Sequence, residues 1–370
     1  MKTSTFNILL LIFGCYFLFS FSRQSDESEK IIRKTFQVNP QTALHIINKH
    51  GNIEISHGKS KEINLEARII TNSGSKSARE TFLKESSIDF STQGHHIYAV
   101  SNPKQMNKGK YWWNRMLSSP VGYAINYKVD VPSNLELELD NKYGNIVMGD
   151  HSGIINLKNS YGNIEANHLE GQVILDLRYG KAKITSIQDG KVKLAYSSLE
   201  LEKAPTVEFN SKQSRVQVGE SSDLSVFSKY DKYNIGTVNS LFNEGAYDNF
   251  KVSHVDRIKT IARYSTFDIE KCANKIESDM AYGSIKVHQI SQDFTGGNIQ
   301  TKYTNVSFKD LPNHKLSFKG KYTGLNLMDG YLFHEKITDG NDESIEAVFG
   351  ENGKLPRLIV DMRYGKLNIN

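Results

Sequence analysis

Apolar and polar residues alternate along most of this chain, and the alternation returns at a fixed beat. From Tyr143 an aromatic residue is followed by two turn-type residues and an apolar-polar-apolar triplet, every 17 or 18 residues. Tyr143-Gly144-Asn145-Ile146-Val147-Met148, Tyr161-Gly162-Asn163-Ile164-Glu165-Ala166 and Tyr179-Gly180-Lys181-Ala182-Lys183-Ile184 are the clearest copies. Others begin at Tyr196, Gln213, Tyr230, Tyr247, Tyr264 and Tyr282, then at wider spacing at Tyr303 and Tyr322, and a last one at Tyr364 closes the chain. An early copy stands at His50-Gly51-Asn52-Ile53-Glu54-Ile55, so 11 of the 13 copies are led by Tyr.

The third and fifth positions after the marker (Ile53 and Ile55, Val216 and Val218, Phe267 and Ile269, Leu325 and Leu327) carry no charge in any copy. The position between them is polar everywhere except at Val147. This period-two pattern predicts a strand with one dry and one wet face. A second apolar stretch precedes the markers, as in Leu137 and Leu139, Val173, Leu175 and Leu177, or Leu358, Val360 and Met362. A small or apolar residue also recurs eight positions after the marker, as at Leu169, Ile187, Ala204, Val238, Val255, Cys272 and Ile290. Each period therefore reads as two strands and a corner. A unit this short buries its dry face only against copies of itself. The expected fold is an all-β, single-stranded β-solenoid with 17–18-residue coils. Adjacent coils spaced ~4.8 Å make a rod roughly 55–60 Å long. The tyrosines are expected to stack as a structural ladder along one edge. Where a glycine follows the tyrosine, as at Gly144, Gly162 and Gly180, it is expected to carry the positive φ of the turn.

Residues 57–132 depart from the repeat and read as a small α+β module capping the first coil. Glu62–Thr71 alternates as a strand, and Ser75–Glu85 reads as a helix with Ala78, Phe82 and Leu83 on one side. Ile88–Phe90 and His96–Val100 suggest a hairpin, and Ala124–Val131 another strand. Within this module Lys104, Lys108, Lys110, Tyr111, Trp112, Trp113, Arg115 and Met116 gather both tryptophans among cations. Paired aromatics with basic neighbours suit a sugar face, a headgroup region or a partner protein, and this loop is the candidate binding site. The remaining divisions are a signal peptide over 1–22, a linker over 23–35, the first solenoid strands over 36–56 and the solenoid over 133–370. A lateral, locally acidic insertion occupies 331–356.

Composition narrows the function. Hydrophobic residues make up 38%, low for a compact α/β enzyme but sufficient for a narrow core. The net charge of +5 is spread along the chain, so no nucleic-acid partner is expected. Lys2, the apolar run from Phe6 to Phe21 and the small residues at Ser20 and Ser22 predict export. The destination is the periplasm, the outer-membrane surface or the exterior. Ile12-Phe13-Gly14-Cys15 resembles a lipoprotein box only loosely, because the apolar run continues past it. Cleavage at Ser22 leaves Cys272 alone, without a disulfide, and no Cys/His set has zinc spacing. No metal or cofactor is expected. Neither the EF-hand pattern nor any catalytic motif of the G-x-S-x-G, H-E-x-x-H or P-loop kind is present. His95-His96 reads as a hairpin turn rather than a metal site. Glu54, Glu165, Glu200 and Asp268 are scattered rather than paired, and Asp176 and Asp361 lie far apart along the rod, which disfavours glycoside hydrolysis.

The export signal, the early His50-Gly51-Asn52-Ile53 copy, the α+β insertion, the strand ending at Val131-Pro132 and the serial tyrosine copies resemble the adhesin β-solenoid families of bacterial envelopes, including the auto-transporter adhesin head GIN type. The resemblance covers about residues 36–370. It implies an exported β-solenoid and supplies no catalytic residues. The expectation is a non-catalytic, adhesin-like recognition protein of the cell envelope, whose partner is a surface glycan or an envelope protein. One alternative is an envelope scaffold or signalling partner that docks through its cap or its C-terminal edge. A lesser one is a polysaccharide-active β-helix enzyme. The final strand around Leu367 and Ile369 would also serve an end-to-end homodimer.

Overall fold

A computed structural model describes residues 27–58, 61–72, 75–103, 122–309, 311, 315–327, 333–339, 344–349 and 357–370. The described chain opens with β1 (Ser28–Gln37), β2 (Ala43–Lys49), β3 (Ile53–His57), β4 (Glu62–Thr71), helix α1 (Lys76–Glu85), β5 (Ser87–Gln93), β6 (His96–Asn102) and β7 (Tyr123–Val131). The rod continues through β8 (Glu136–Lys142), β9 (Ile146–Met148), β10 (Ile155–Ser160), β11 (Ile164–Arg178), β12 (Lys181–Ala195), β13 (Ser198–Lys212), β14 (Arg215–Lys229), β15 (Lys232–Ala246), β16 (Asn249–Arg263), β17 (Thr266–Ile290), β18 (Gly296–Phe308) and β19 (Lys315–Leu327). The last strands are β20 (Phe333–Asp339), β21 (Ser344–Phe349) and β22 (Arg357–Ile369).

The fold is a β-solenoid. Ile146, Ile164, Ala182, Leu199, Val216, Tyr233, Phe250 and Phe267 pair in parallel register as one column through successive coils. All eight are buried. The column includes an internal aromatic stack, with Tyr233, Phe250 and Phe267 at 4.8 and 4.7 Å between ring centres.

From β11 to β16 each coil is one continuous strand of 15 residues rather than two. The parallel hydrogen bonds simply follow the chain round the bend. In β12 the inward residues are 182, 184, 187, 190, 192 and 194. The step lengthens from two to three on either side of Ile187. The residue eight positions after the marker therefore wedges a second, gentler corner opposite the tyrosine.

The N-terminal module is built onto the first coil. β6 pairs parallel with β2, and β7 pairs parallel with β3, so the two together imitate a preceding coil. β5 then adds antiparallel to β6, β4 to β7 and β1 to β4. β1 takes up residues that the sequence assigned to a linker. It is half-exposed and weakly patterned, with Lys, Arg and Glu along it, so its alternation is hard to see. Helix α1 starts at the Ser75 cap, whose side chain accepts from the Ala78 N–H. Lys30 Nζ donates to the Leu83 and Ser86 carbonyls at its far end, where a cation also suits the helix dipole. The buried helix residues are Arg79 and Phe82, whereas Ala78 is exposed. Arg79 Nε donates to Ser28 Oγ, so the arginine packs against β1.

At the other end the order of coils departs from the order of the chain. β22 lies between β18 and β19 and pairs parallel with both. β19 is thus the outer coil. Its first half carries β21 in antiparallel pairing, and β20 pairs antiparallel with β21. The stretch read as a lateral loop therefore contains two strands that cover part of the end. The strand of Leu367 and Ile369 has neighbours on both sides and offers no free edge for an end-to-end dimer.

The tyrosine edge as candidate functional site

All 13 marker residues, the 11 tyrosines with His50 and Gln213, adopt left-handed φ between 51° and 64°. The positive φ belongs to the tyrosine, not to the glycine after it. The glycine answers a different need. A Cβ on Gly144 would lie 1.8 Å from the Gly51 carbonyl oxygen, one on Gly162 1.9 Å from that of Gly144, and one on Gly180 2.0 Å from that of Gly162. Stacked corners approach so closely that only hydrogen fits.

Because every marker turns outward at the same place, the side chains form a column. His50 stacks on Tyr143 at 4.8 Å, and Tyr143, Tyr161, Tyr179 and Tyr196 follow at 5.1, 4.9 and 5.0 Å. Tyr230, Tyr247, Tyr264, Tyr282 and Tyr303 continue at 4.7 to 4.9 Å. Tyr303 then stacks on Tyr364, and Tyr364 on Tyr322, as the strand order requires. Tyr123 closes the N-terminal end edge-on against His50.

Charge is asymmetric along this edge. The position before the marker is Lys49, Lys142, Arg178, Lys212, Lys229, Arg263, Lys302, Lys321 or Arg363 in nine of 13 copies. Two positions after the marker stand Lys181, Arg215, Lys232 and Lys366. Neither row contains a carboxylate in any copy. Lys142, Lys229, Lys302 and Lys321 bring their ammonium groups to 5.1–5.6 Å from the ring of the following tyrosine, within cation–π range. Among the described residues Lys212, Arg215 and Lys232 make no ion pair. The edge is an exposed phenolic ridge with a basic row on one side and four cations on the other, of which Arg178, Lys181 and Arg263 are paired with Asp176, Glu200 and Asp279.

Two kinds of corner hold the ridge. In the first coils Asn145 N–H donates to Asn52 Oδ1, Asn163 N–H to Asn145 Oδ1 and Lys181 N–H to Asn163 Oδ1. Asn159 Nδ2 satisfies the Gly144 carbonyl. From Gly180 on, the residue after the marker carries the side chain instead. Gly180 N–H donates to Ser197 Oγ, Ser197 N–H to Ser214 Oγ, Ser214 N–H to Asp231 Oδ1, Asp231 N–H to Asp248 Oδ1 and Asp248 N–H to Ser265 Oγ. Asp231 and Asp248 are buried, and burial raises the pKa of both, that of Asp248 to about 6. Ser211 and Ser228 hydroxyls donate to them from inside the coil.

Among the described residues the ridge is broken once within the rod. At Gln213 the aromatic column is interrupted between Tyr196 and Tyr230, and a hollow of about 710 Å³ opens there. It is bordered by Tyr196, Lys212, Gln213, Arg215, Tyr230 and Lys232.

Of the loop expected to bind, Lys108, Lys110, Tyr111, Trp112, Trp113 and Arg115 all lie outside the described residues, as do the signal segment and Cys15. Four of the outward carboxylates considered for catalysis, Glu54, Asp176, Glu200 and Asp268, are partnered. Glu54 faces Lys128 at 3.7 Å, Glu200 meets Lys181 at 2.6 Å, and Asp268 meets His288 at 2.8 Å. His95 lies in the hairpin turn, and His96 Nδ1 is 2.9 Å from His45 Nε2, which also places Nδ1 2.7 Å from Glu138. Among the described residues no group of His, Cys, Asp and Glu is arranged to hold a metal ion. Cys272 is buried in the wedge column, and burial pushes its thiol up to about 12, so it is a core residue there. No described helix is long and apolar enough to cross a membrane. The basic rows were in the sequence all along. They emerge only when residues are sorted by distance from the marker, because +5 spread over the whole chain conceals two rows that lack acids.

No protein-family model matches the chain, and no curated protein does. Solved structures give distant matches. One is a "putative cell adhesion protein" from Clostridium sporogenes, 11% identical over 92% of this chain and 99% of that one, with a TM-score of 0.19. A "putative adhesin" from Bacteroides fragilis is 9% identical over 93% and 98%, with a TM-score of 0.18. A "putative lipid binding protein" from Parabacteroides distasonis is 12% identical over 92% and 97%, with a TM-score of 0.21. Such loose superposition lends nothing to a functional reading, which rests on the edge itself.

Proposed function

We propose that this chain is a non-catalytic, adhesin-like binding protein of the cell envelope that holds anionic glycans along its tyrosine edge. The observation that supports this reading is the exposed tyrosine column flanked by a basic row before the marker, with four further cations after it and no carboxylate at either position. A rigid rod repeats the same weak contact every ~4.8 Å. Repetition along one polymer turns weak contacts into firm attachment without any deep pocket. Phenol hydroxyls and ammonium groups supply donors for carboxylate or sulfate oxygens. Export, expected from the apolar N-terminal run, accords with a partner of that kind.

The test is retention of the full exported chain on immobilised polygalacturonate at several salt concentrations. Binding should weaken steeply with salt, because exposed charges are screened beyond ~10 Å at 0.1 M. The triple variant Lys142→Glu/Lys229→Glu/Lys302→Glu should weaken it at least tenfold, while Trp112→Ala/Trp113→Ala should leave it within about twofold, a gap of about fivefold or more, on the order of 1 kcal/mol. No retention at low salt would refute the reading. Loss in the tryptophan pair alone would move the site to that loop.

A further inference from the structure

We infer that the edge holds its polymer at two cationic stations, one in mid-rod and one at the C-terminal end, and so selects an extended polyanion long enough to bridge them. This rests on the reading of the edge as a ridge for anionic glycans and adds the length that the ridge recognises.

Nearly every rung of the ridge carries a ring, but unpaired cations are gathered in groups. In mid-rod Lys212 lies in direct parallel register with Lys229, and Arg215 with Lys232. All four are exposed. At the far end Lys302, Arg363 and Lys321 are register partners on three successive coils, and Lys366 stands two positions past Tyr364. The entry of β22 between β18 and β19 is what sets Arg363 between the two lysines. Lys229, Lys302 and Lys321 lie over the rings of their own tyrosines. Among the described residues Lys212, Arg215, Lys229 and Lys232 make no ion pair, and neither do Lys302, Arg363 and Lys366. Asp361, on the same wet face as Arg363, stands in register with Lys319.

The rungs between the stations differ. The residues before Tyr247, Tyr264 and Tyr282 are Ala246, Arg263 and Ala281, and those two positions after them are Asn249, Thr266 and Ser284. Their single cation, Arg263, lies 3.2 Å from Asp279. On the N-terminal side of the mid-rod station Arg178 and Lys181 are likewise paired, with Asp176 and Glu200. Beyond them Lys49 and Lys142 make a smaller group of two, in register with each other.

Like charges held opposite each other across two strands repel. The fold sets a carboxylate beside Arg178, Lys181 and Arg263, yet leaves register-matched cations without one at both stations. An anion from outside would relieve that repulsion. The spacing then sets its length. The rings stack without a break from Tyr230 to Tyr303, four rungs that span roughly 19 Å. That exceeds the screening length of ~10 Å at 0.1 M salt, so a compact anion meets one station and not the other. A chain that reaches both makes its second contact intramolecularly, and on a rigid rod this gain sets in abruptly once the ligand is long enough.

Calorimetric titration of the full chain with galacturonate oligomers of three to ten sugars tests this. The outer carboxylates of trigalacturonate are only two sugar rings apart, too close to bridge the stations, whereas the decamer is ample. We expect two trimers per chain but one decamer, with the decamer bound at least about 30-fold more tightly. Two variants each neutralise one station: Lys212→Gln/Arg215→Gln/Lys229→Gln/Lys232→Gln, and Lys302→Gln/Lys321→Gln/Arg363→Gln/Lys366→Gln. Each should keep or raise the melting temperature, since register-matched like charges are removed. Each should bind one trimer, with a Kd within threefold of wild type, and hold the decamer no more than threefold tighter than the trimer. A gain spread evenly over the intermediate lengths, or a decamer that binds either folded variant within threefold of wild type, refutes the stations and leaves the ridge reading standing. Should a variant fail to fold, the length series on the wild type decides alone. If long polygalacturonate does not bind the wild type at low salt, the ridge reading falls and the stations with it.

Discussion

A tyrosine in the left-handed region strains its own backbone by about 1–2 kcal/mol. A stacked ring pair returns about 0.5–1.5 kcal/mol, and an interior rung such as Tyr161 has a ring on each side. The strain at a corner is therefore offset by the column that the corner creates. This balance explains why the marker is aromatic and not the Asn, Asp or Gly that left-handed geometry usually favours. The sequence showed where the corner was but not which residue carried it, because tyrosine's preferences give no hint of a positive φ. The glycine looked like the turn residue, and its real constraint is a neighbour above it that no local reading reveals. Gly162→Ala is the matching prediction. Its new Cβ meets the Gly144 carbonyl at 1.9 Å, and backbone on both sides leaves little room to yield. We expect about 2–3 kcal/mol of destabilisation in denaturant unfolding, the upper part of the range of roughly 1–3 kcal/mol for forced overpacking. A second alanine at Gly94, where nothing lies within 4 Å but φ is 61°, should cost closer to 1 kcal/mol.

At the scale of elements, the coil was legible and the order of coils was not. Period and parity identify which residues share a column, and Ile146, Val216 and Phe267 do share one. Stacking alone is indifferent to which copy follows which. Once the spacing widens after Tyr282 and a long stretch separates Leu327 from Arg357, the chain has enough length to return. β22 uses that freedom to enter between β18 and β19. Leu367 is fully buried and faces Val306 on one side and Leu325 on the other. Leu367→Asp buries an unpaired charge, and burial of that kind costs several kcal/mol. If β22 were the terminal coil, β19 would keep its place on β18 in this variant. With β22 in between, β19 should lose hydrogen-exchange protection together with β22, while β11 to β16 stay protected. Protection persisting in β19 would contradict the strand order.

For the molecule as a whole, stability along a solenoid is local, since each coil contacts only its neighbours. Two buried titratable groups at different heights then give the rod opposite responses to pH at two places. His151, near the N-terminal end, is 1% exposed and lies 3.1 Å from His57; burial first, and His57 second, lower its pKa to about 4. Its folded pKa lies below the unfolded 6.5, so its contribution is complete above pH 6.5 and is lost as pH falls toward 4. Asp248, in mid-rod, is the reverse case: its pKa rises from 3.8 to about 6 through burial, so its contribution is complete below 3.8 and is lost as pH rises through 6. Hydrogen exchange, corrected for intrinsic rates, should resolve the two. Between pH 7.5 and 5 the coils around Ser228 and Asp248 should gain roughly 1.4 kcal/mol of opening free energy from Asp248, while those around His57 and His151 lose protection. Asp248→Asn keeps an acceptor for the Asp231 N–H and gains a donor toward Ser228 Oγ, so it should diminish the mid-rod gain to the part that the buried Asp231 carboxyl supplies, and leave the N-terminal loss intact. A pH response that moved both regions together would mean that the rod opens as one unit, and a mid-rod response undiminished in Asp248→Asn would mean that the Asp248 carboxyl does not set it.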